Sequence, residues 1–351
     1  MKKLKFALIG CGRISYKHVD ALQKNEHAEI TGFCDIKPER AKKYADQFGV
    51  PYFNDYREML RVIDADIVNV LTPSGNHAEI AIDVMRSCRH VIVEKPMALT
   101  VADCDRMIHE ADYCGKRLFV VKQNRFNSSV LKTREAFNSN RFGKLVMGTV
   151  RVRWSRNQAY YDQDDWRGKW ATDGGVFSNQ ASHHIDLLQW FFGDVESVMA
   201  TTRTSLVKIE AEDTGAAILE FTNGSIGIVE ATTATRPKDL EGSISILGEK
   251  GTVVIGGFAV NQIQAWNFTE PTEEDKIIVD QYKDLPPNVY GFGHEAYFRH
   301  VINSLKTGNS ALVEGLEGKK SVEIINAIYE SAFTGKKVYI HNQYRNSPLG
   351  R

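Results

Sequence analysis

Net charge is the first thing this sequence lacks. Lys and Arg number 44 against 44 Asp and Glu, so no field of one sign draws the chain onto nucleic acid or an anionic membrane surface. Any anionic ligand must be met by local cations. Long apolar runs are missing too. Met1-Lys2-Lys3 before Leu4 to Ile9 has the charged front of a secretion signal, but Gly10-Cys11-Gly12-Arg13 cuts the run short. No run reaches the length of a membrane span, and the expected location is cytoplasmic. Cysteine is scarce: the 5 present, at 11, 34, 88, 104 and 114, show no CxxC or Cys/His ligand spacing. That argues against a disulfide framework or a metal centre and for reduced core thiols.

What is present begins with length. At 351 residues the chain is too long for one small core, and two domains are expected. The first, residues 1–122, alternates strand and helix. Leu4 to Ile9 is a compact apolar run, Gly10 and Gly12 follow, and helix-period residues His18, Val19, Ala21 and Leu22 come next. Gly10 suits a tight turn, and Gly12 lets a pyrophosphate approach the backbone at a helix N-terminus. Ser15 stands where a dinucleotide fingerprint has its third glycine. The turn alone fits a nucleotide site and a plain structural turn equally well.

Asp35 ends the second strand a little over twenty residues after Gly12, where a dinucleotide fold places an acid on the adenosine ribose. It would repel a 2′-phosphate, which favours NAD over NADP. Capping the helix that starts at Pro38 is the other reading. Asp66 to Leu71 predicts a strand covered on both faces, ending in the loop Thr72-Pro73-Ser74-Gly75-Asn76-His77. The strand from His90 to Val93 delivers Glu94 and Lys95 to the same sheet edge. On the residues alone, Lys95 is either a proton-handling group or a solvated loop lysine.

After Val121 the alternation stops. Long strands, Leu145 to Trp154, Val195 to Thr204, Thr214 to Phe221, Ser225 to Thr233, Ser243 to Leu247 and Thr252 to Ile255, predict a mainly antiparallel sheet. Residues 123–340 are expected to form this α+β domain, with an open sheet face for substrate or for a second subunit, and residues 341–351 a disordered tail. The fold class is thus α/β followed by α+β. Between Asp173 and Gly193, a helix beginning near Ala181 places His184 inside the apolar arc of Ile185, Leu187, Leu188, Phe191 and Phe192. His183 falls outside that arc and is the candidate for chemistry. Arg151, Arg153, Arg156, Arg167 and Lys169 are local cations suited to phosphate or carboxylate, or form a solvated basic face. Tyr290 to His294 either closes over a ligand or caps the helix that follows.

The order Gly10-Cys11-Gly12-Arg13-Ile14, Thr72 to His77 and Glu94-Lys95-Pro96 resembles the GFO/IDH/MocA oxidoreductases. The further segments Lys122 to Arg125, Tyr160-Tyr161, Trp166-Arg167-Gly168, Asn179 to His183, Leu240 to Ile244 and Tyr290 to His294 resemble a narrower group of that family. These are the UDP-N-acetyl-2-amino-2-deoxyglucuronate 3-dehydrogenases, and the resemblance extends to about Ile340. It implies NAD contacts from Gly10, Gly12, Arg13, Ile14, Asp35, Thr72, Ser74, His77, Glu94, Lys95, Gln123, Trp166 and Arg167. It implies substrate contacts from Lys95, Asn124, Arg125, Arg156, Tyr160, Asn179, His183, Tyr290 and His294. Many relatives carry an aspartate where this chain has Asn179, which cannot take a proton and is expected on a sugar hydroxyl.

Lys95 and His183 are the implied catalytic pair, with the order of proton transfer left open between them. Burial and a positive nicotinamide ring would both disfavour the lysine's ammonium form. The implied partners are a UDP-linked uronate, 2-oxoglutarate as a possible co-substrate and further copies of the chain in a homotetramer.

Overall fold

The structure is a computed structural model and describes residues 3–283, 291, 293–340 and 343–351. The chain divides into two compact units, Met1–Val121 with His294–Lys319, and Lys122–Gly293 with Lys320–Arg351.

In the first unit the strands are β1 (Leu4–Ile9), β2 (Ala28–Cys34), β3 (Tyr52–Phe53), β4 (Ile67–Val70), β5 (His90–Val93) and β6 (Leu118–Val120). They lie parallel in the order β3-β2-β1-β4-β5-β6. All four residues of β4 are buried, as a strand covered on both faces requires. The helices are α1 (Ser15–Gln23), α2 (Pro38–Phe48), α3 (Tyr56–Val62), α4 (His77–Arg86) and α5 (Val101–Cys114). Local chemistry sets their ends. Pro38 opens α2 and Gly49, at φ +66°, closes it; the Asp55 side chain accepts the Arg57 N–H at the start of α3.

Residues 294–319 complete this unit from the far end of the chain. They comprise most of α10 (Gly293–Thr307) and the start of α11 (Gly315–Thr334). The segment edges the sheet at β6, where the Val120 N–H donates to Val313 O at 2.9 Å and Phe119 pairs with Glu314. The Arg117 guanidinium holds Glu314 and Ser304. A Cβ on Gly318 would meet Val120 Cγ2 at 2.3 Å, so only glycine lets the helix come this close. The sequence reading ended the nucleotide-binding half at residue 122 and did not anticipate this return.

The second unit opens with a 3-10 turn, Gln123–Phe126, and α6 (Ser128–Asn138). Its sheet contains β7 (Leu145–Arg153), β8 (Val195–Arg203), β9 (Thr214–Phe221), β10 (Ile226–Thr232), β11 (Glu241–Gly248), β12 (Gly251–Gly256), β13 (Gln262–Phe268) and β14 (Val338–Tyr339). Among the described residues the order is β13-β12-β11-β7-β10-β9-β8-β14, antiparallel except where β7 meets β10. The short helices α7 (Gln158–Tyr161) and α9 (Asp275–Gln281) flank it, and α8 (Ser182–Phe192) packs on one face. Gly148 and Gly227 lie beneath α8; a Cβ on Gly148 would strike Phe192 at 2.4 Å.

The sheet's other face leaves Met199, Ile218 and Ile226 exposed. Arg151 and Arg153, read either as cations for a ligand or as a solvated basic face, are matched there by Glu230 and Glu241 of neighbouring strands. Arg153 Nε lies 2.6 Å from Glu230 and Nη1 3.2 Å from Glu241, and Arg151 Nη1 lies 3.6 Å from Glu241. Of the described tail residues, for which disorder was expected, Ser347 and Leu349 are buried while most of the others are exposed. Leu349 is 2% exposed against Gly174, Ser347 Oγ donates to Asn326 Oδ1 at 2.8 Å, and Gly350 N–H donates to Trp170 O at 2.8 Å. No described helix is long and apolar enough to cross a membrane.

Candidate active site

In the first unit the strand order reverses between β1 and β4, and at the carboxyl ends of such strands open α/β sheets bind ligands. Gly10 is required there: its φ is +96°, and a Cβ would meet the Leu71 backbone at 2.7 Å. A Cβ on Gly12 would meet nothing within 4 Å, so its backbone is open to an approaching pyrophosphate beside the first turn of α1. Ser15 compensates for the third glycine by donating from Oγ to Gly12 O at 2.7 Å. Arg13 is exposed and Ile14 half-buried beside it.

Asp35 ties this turn to the next connection. Its Oδ2 accepts the Cys11 N–H at 2.7 Å and its Oδ1 the Lys37 N–H at 2.8 Å. The second bond closes a turn just before α2, whose own N-cap, Lys37, receives no side-chain cap. Cys11 and Cys34 are buried beside it; burial and the Asp35 charge push the Cys34 thiol up to about 12, where it is inert. All five cysteines are free.

The loop after β4 holds Ser74 buried, and among the described residues Thr72 Oγ1 is a buried hydroxyl without a partner. A buried hydroxyl normally finds one, so Thr72 fits a site that receives a cofactor. Both His77 ring nitrogens, expected near the cofactor, are bonded within the chain. Its Nδ1 lies 2.9 Å from Pro96 O and its Nε2 2.9 Å from Thr72 O, so it laces the Thr72 loop to the Glu-Lys-Pro loop. Burial holds its pKa below the ordinary value, outweighing the two carbonyls.

Glu94 is also turned inward. Its Oε1 lies 2.8 Å from His18 Nε2 and its Oε2 accepts the Lys95 N–H at 3.0 Å. Burial pushes this carboxyl up, but the His18 bond together with the charges of His18, His294 and Lys95 outweighs burial and holds it below the usual range. Lys95 is half-buried at the loop's edge. His294, read as a substrate contact, is 4% exposed and packs edge-on against His18 at a centroid distance of 5.9 Å. Burial drives its pKa down to about 3. His18, Glu94 and His294 place ligand atoms within 4.8 Å of one another, but His18 and Glu94 are already spent on each other.

In the second unit the Gly-Gly turn before α8 is built by residues remote in sequence. Tyr329 OH accepts the Gly175 and Ser178 N–H groups at 3.2 Å and donates to Glu212 Oε1 at 2.9 Å. A Cβ on Gly175 would lie 2.1 Å from Glu212 Oε2. The turn carries Asn179 and leads into α8 with His183. Asn179 Nδ2 donates to the buried Asp173 Oδ1 at 2.6 Å, and Asp173 Oδ2 also accepts the Gly168 N–H. An aspartate is therefore present after all, one turn away through Asn179.

Gln123 Nε2 lies 2.9 Å from His183 Nε2. An amide N–H donating there makes Nε2 the acceptor and places the imidazole proton on Nδ1. His184 is 1% exposed, packs edge-on to Trp154, and is pushed down to about 3 by burial. His184 is thus packed as helical periodicity predicts, and His183 is also buried, at 9% exposed. Asn124 is buried alongside, its Oδ1 without a partner among the described residues.

Arg125, expected on the substrate, is engaged inside the second unit. The guanidinium is fully buried and grips Asp186 of α8 through Nε at 2.8 Å and Nη2 at 2.9 Å, over the Trp190 ring. Lys122 joins at 3.2 Å from Asp186 and donates to Ser321. Burial opposes the Asp186 charge, but these two cations outweigh it and hold its pKa below the ordinary value. Arg156 pairs with Asp239 at 2.9 Å. Arg167 donates to Tyr160 OH at 2.9 Å and lies 4.4 Å over the Trp166 ring. Tyr290 lies outside the described residues.

Glu212 carries a testable pH signature. Its Oε2 has no partner among the described residues, and burial with the nearby Asp173 pushes its pKa from 4.5 up to about 7. The fold thus favours the protonated acid. Its stabilising contribution is full below pH about 4.5 and is lost as pH rises through about 7. The loss amounts to about 3 kcal/mol at most. Urea unfolding at pH 5 and pH 8 should show this decline in the parent and a flatter response in Glu212→Gln.

Comparison with known proteins agrees with this geometry. The profile of the oxidoreductase family's NAD-binding Rossmann fold matches residues 4–122, and that of its C-terminal alpha/beta domain matches residues 134–340. The myo-inositol 2-dehydrogenase of Thermotoga maritima is 26% identical over 91% of this chain and 93% of its own. The WlbA dehydrogenase from Bordetella pertussis, solved in complex with NADH and UDP-GlcNAcA, is 44% identical, covers 97% of this chain and 98% of its own, and superposes with a TM-score of 0.91. The WlbA dehydrogenase from Chromobacterium violaceum, solved with the same two molecules, gives 44%, 98%, 98% and 0.91. The chain therefore belongs to the GFO/IDH/MocA oxidoreductase family and is an NAD-dependent dehydrogenase acting on a CH–OH group.

Proposed function

We propose that this protein oxidises the 3-hydroxyl of UDP-N-acetyl-2-amino-2-deoxy-D-glucuronate to the 3-keto sugar, a step toward bacterial O-antigen and lipopolysaccharide sugars. The observation carrying this reading is the 44% identity, over nearly the whole length of both chains, to two dehydrogenases solved with NADH and UDP-GlcNAcA.

Bound NAD supplies the hydride acceptor. Gly12, Arg13 and Ile14 at the start of α1, Asp35, Thr72 and Ser74 are the residues that hold it. Lys95 takes the hydroxyl proton as a neutral amine, with His183 as the alternative base. Gln123 fixes the His183 tautomer, and Asp173 orients the Asn179 amide that meets a sugar hydroxyl. 2-Oxoglutarate is the proposed oxidant that recycles the reduced cofactor. Cytoplasmic location and a homotetramer complete the proposal. The apolar residues Met199, Ile218 and Ile226 on the open sheet face suit burial against another copy.

The test follows reduced-nicotinamide absorbance when the UDP-linked uronate is added, with and without 2-oxoglutarate. A rise limited to bound cofactor, then sustained turnover with the keto acid, is expected. A response to UDP-N-acetylglucosamine or myo-inositol but not to the uronate would replace this substrate with a neutral sugar or cyclitol.

A further inference from the structure

A lysine amine on its flexible four-carbon stem is placed no better than the backbone that carries it. In the first unit the Lys95 backbone is gripped through Glu94. This carboxylate is 6% exposed, and its burial is tolerable only because both oxygens are bonded. Oε1 faces His18 Nε2 at 2.8 Å, while Oε2 accepts the Lys95 N–H at 3.0 Å. His18 is held in turn by Asn69, whose Nδ2 lies 3.1 Å from His18 Nδ1.

Donation by Asn69 makes Nδ1 an acceptor and directs the Nε2 proton at Glu94. Both His18 and Asn69 are 0% exposed, and Asn69 is the one polar residue of β4. The rings of His294 and Phe298, at centroid distances of 5.9 and 5.1 Å, close over His18. Three segments distant in sequence thus converge on one amide. An apolar trio would fill this core without the desolvation cost of a polar chain, so the network earns its place by what it orients.

We infer that Asn69 and His18 are positioning residues for the dehydrogenase reaction: through Glu94 they fix the backbone of Lys95 and so the place where its amine is presented. The inference rests on the reading of Lys95 as proton acceptor. Two readouts test it on the NAD-loaded enzyme. One is hydrogen–deuterium exchange of a peptide covering residues 93–97, where Pro96 carries no amide. The other is kcat and KM with the UDP-linked uronate.

His18→Ala should speed Lys95 amide exchange by about tenfold or more. It should lower kcat by about ten- to hundredfold and leave KM within about threefold. His18→Gln, whose amide can still donate to Glu94, should recover most of both, and Asn69→Ala should shift both in the same direction by less. Unchanged exchange at Lys95, or faster exchange with kcat intact, overturns the inference. If His18→Ala does not fold, Asn69→Ala decides by the same two readouts. Full turnover by Lys95→Met, or no turnover of this sugar by the parent, sinks the reading of Lys95 or of the substrate instead. Amide exchange then still decides whether His18 and Asn69 hold the loop.

Discussion

Lys95→Met is expected to bind NAD as the parent does and to lower kcat by about 10²–10⁴-fold, the usual worth of a positioned general base. Methionine keeps the length and apolar stem of lysine and removes only the amine, so the loop held by Glu94 and His77 is left in place. A parallel fall in kcat and kcat/KM would locate the loss in the transition state. Cofactor titration with turnover measurements from pH 6 to 10 separates the two roles. Turnover at the parental rate would transfer the proton-accepting role to His183. His183→Ala, made alongside, should then carry the larger loss.

The second large effect is on stability. Asp186→Ala would leave Arg125 and Lys122 as buried cations without their shared carboxylate, a defect that typically costs about 3–5 kcal/mol. Against a total stability of about 5–15 kcal/mol, this predicts a large drop in the urea midpoint. Replacing all three charges together, as Lys122→Met, Arg125→Met and Asp186→Leu, should restore much of it, because an apolar cluster needs no compensation. A small effect of Asp186→Ala alone would mean that water reaches these cations.

The first unit's strands and helices were legible because each is specified by neighbours in sequence: apolar runs, a Pro38 start, a Gly49 stop. The same holds for His184, whose burial follows from helical periodicity, and for most strands of the second unit. The short elements α9 and β14 carried too little pattern to be noticed, and β13, although 7 residues long, was missed as well. The side-chain pairings that the sequence did not show all depend on partners far along the chain. Arg125 was implied as a substrate contact by resemblance, while its pairing with Asp186, 61 residues away, and that of Arg153 with Glu230, 77 away, left no local sign. A charged residue in a polar run gives no local sign of whether its counter-charge is a ligand or another side chain. The Glu94–His18 bond spans 76 residues, and no local pattern announces it. Asn69 did leave a signal: a lone amide inside an apolar strand needs a buried partner.

The return of residues 294–319 to the first unit has a consequence for synthesis and recombination. A ribosome that has released residues 1–121 has not yet supplied the strand partner of Val120, the Glu314 counter-charge for Arg117, or the rings that cover His18. The nucleotide-binding unit therefore reaches its final form only after nearly the whole protein has been translated. A chimera with a relative joined at residue 122 alone would mate one parent's β6 edge with the other parent's 294–319 segment. Exchanging both segments together keeps that edge matched.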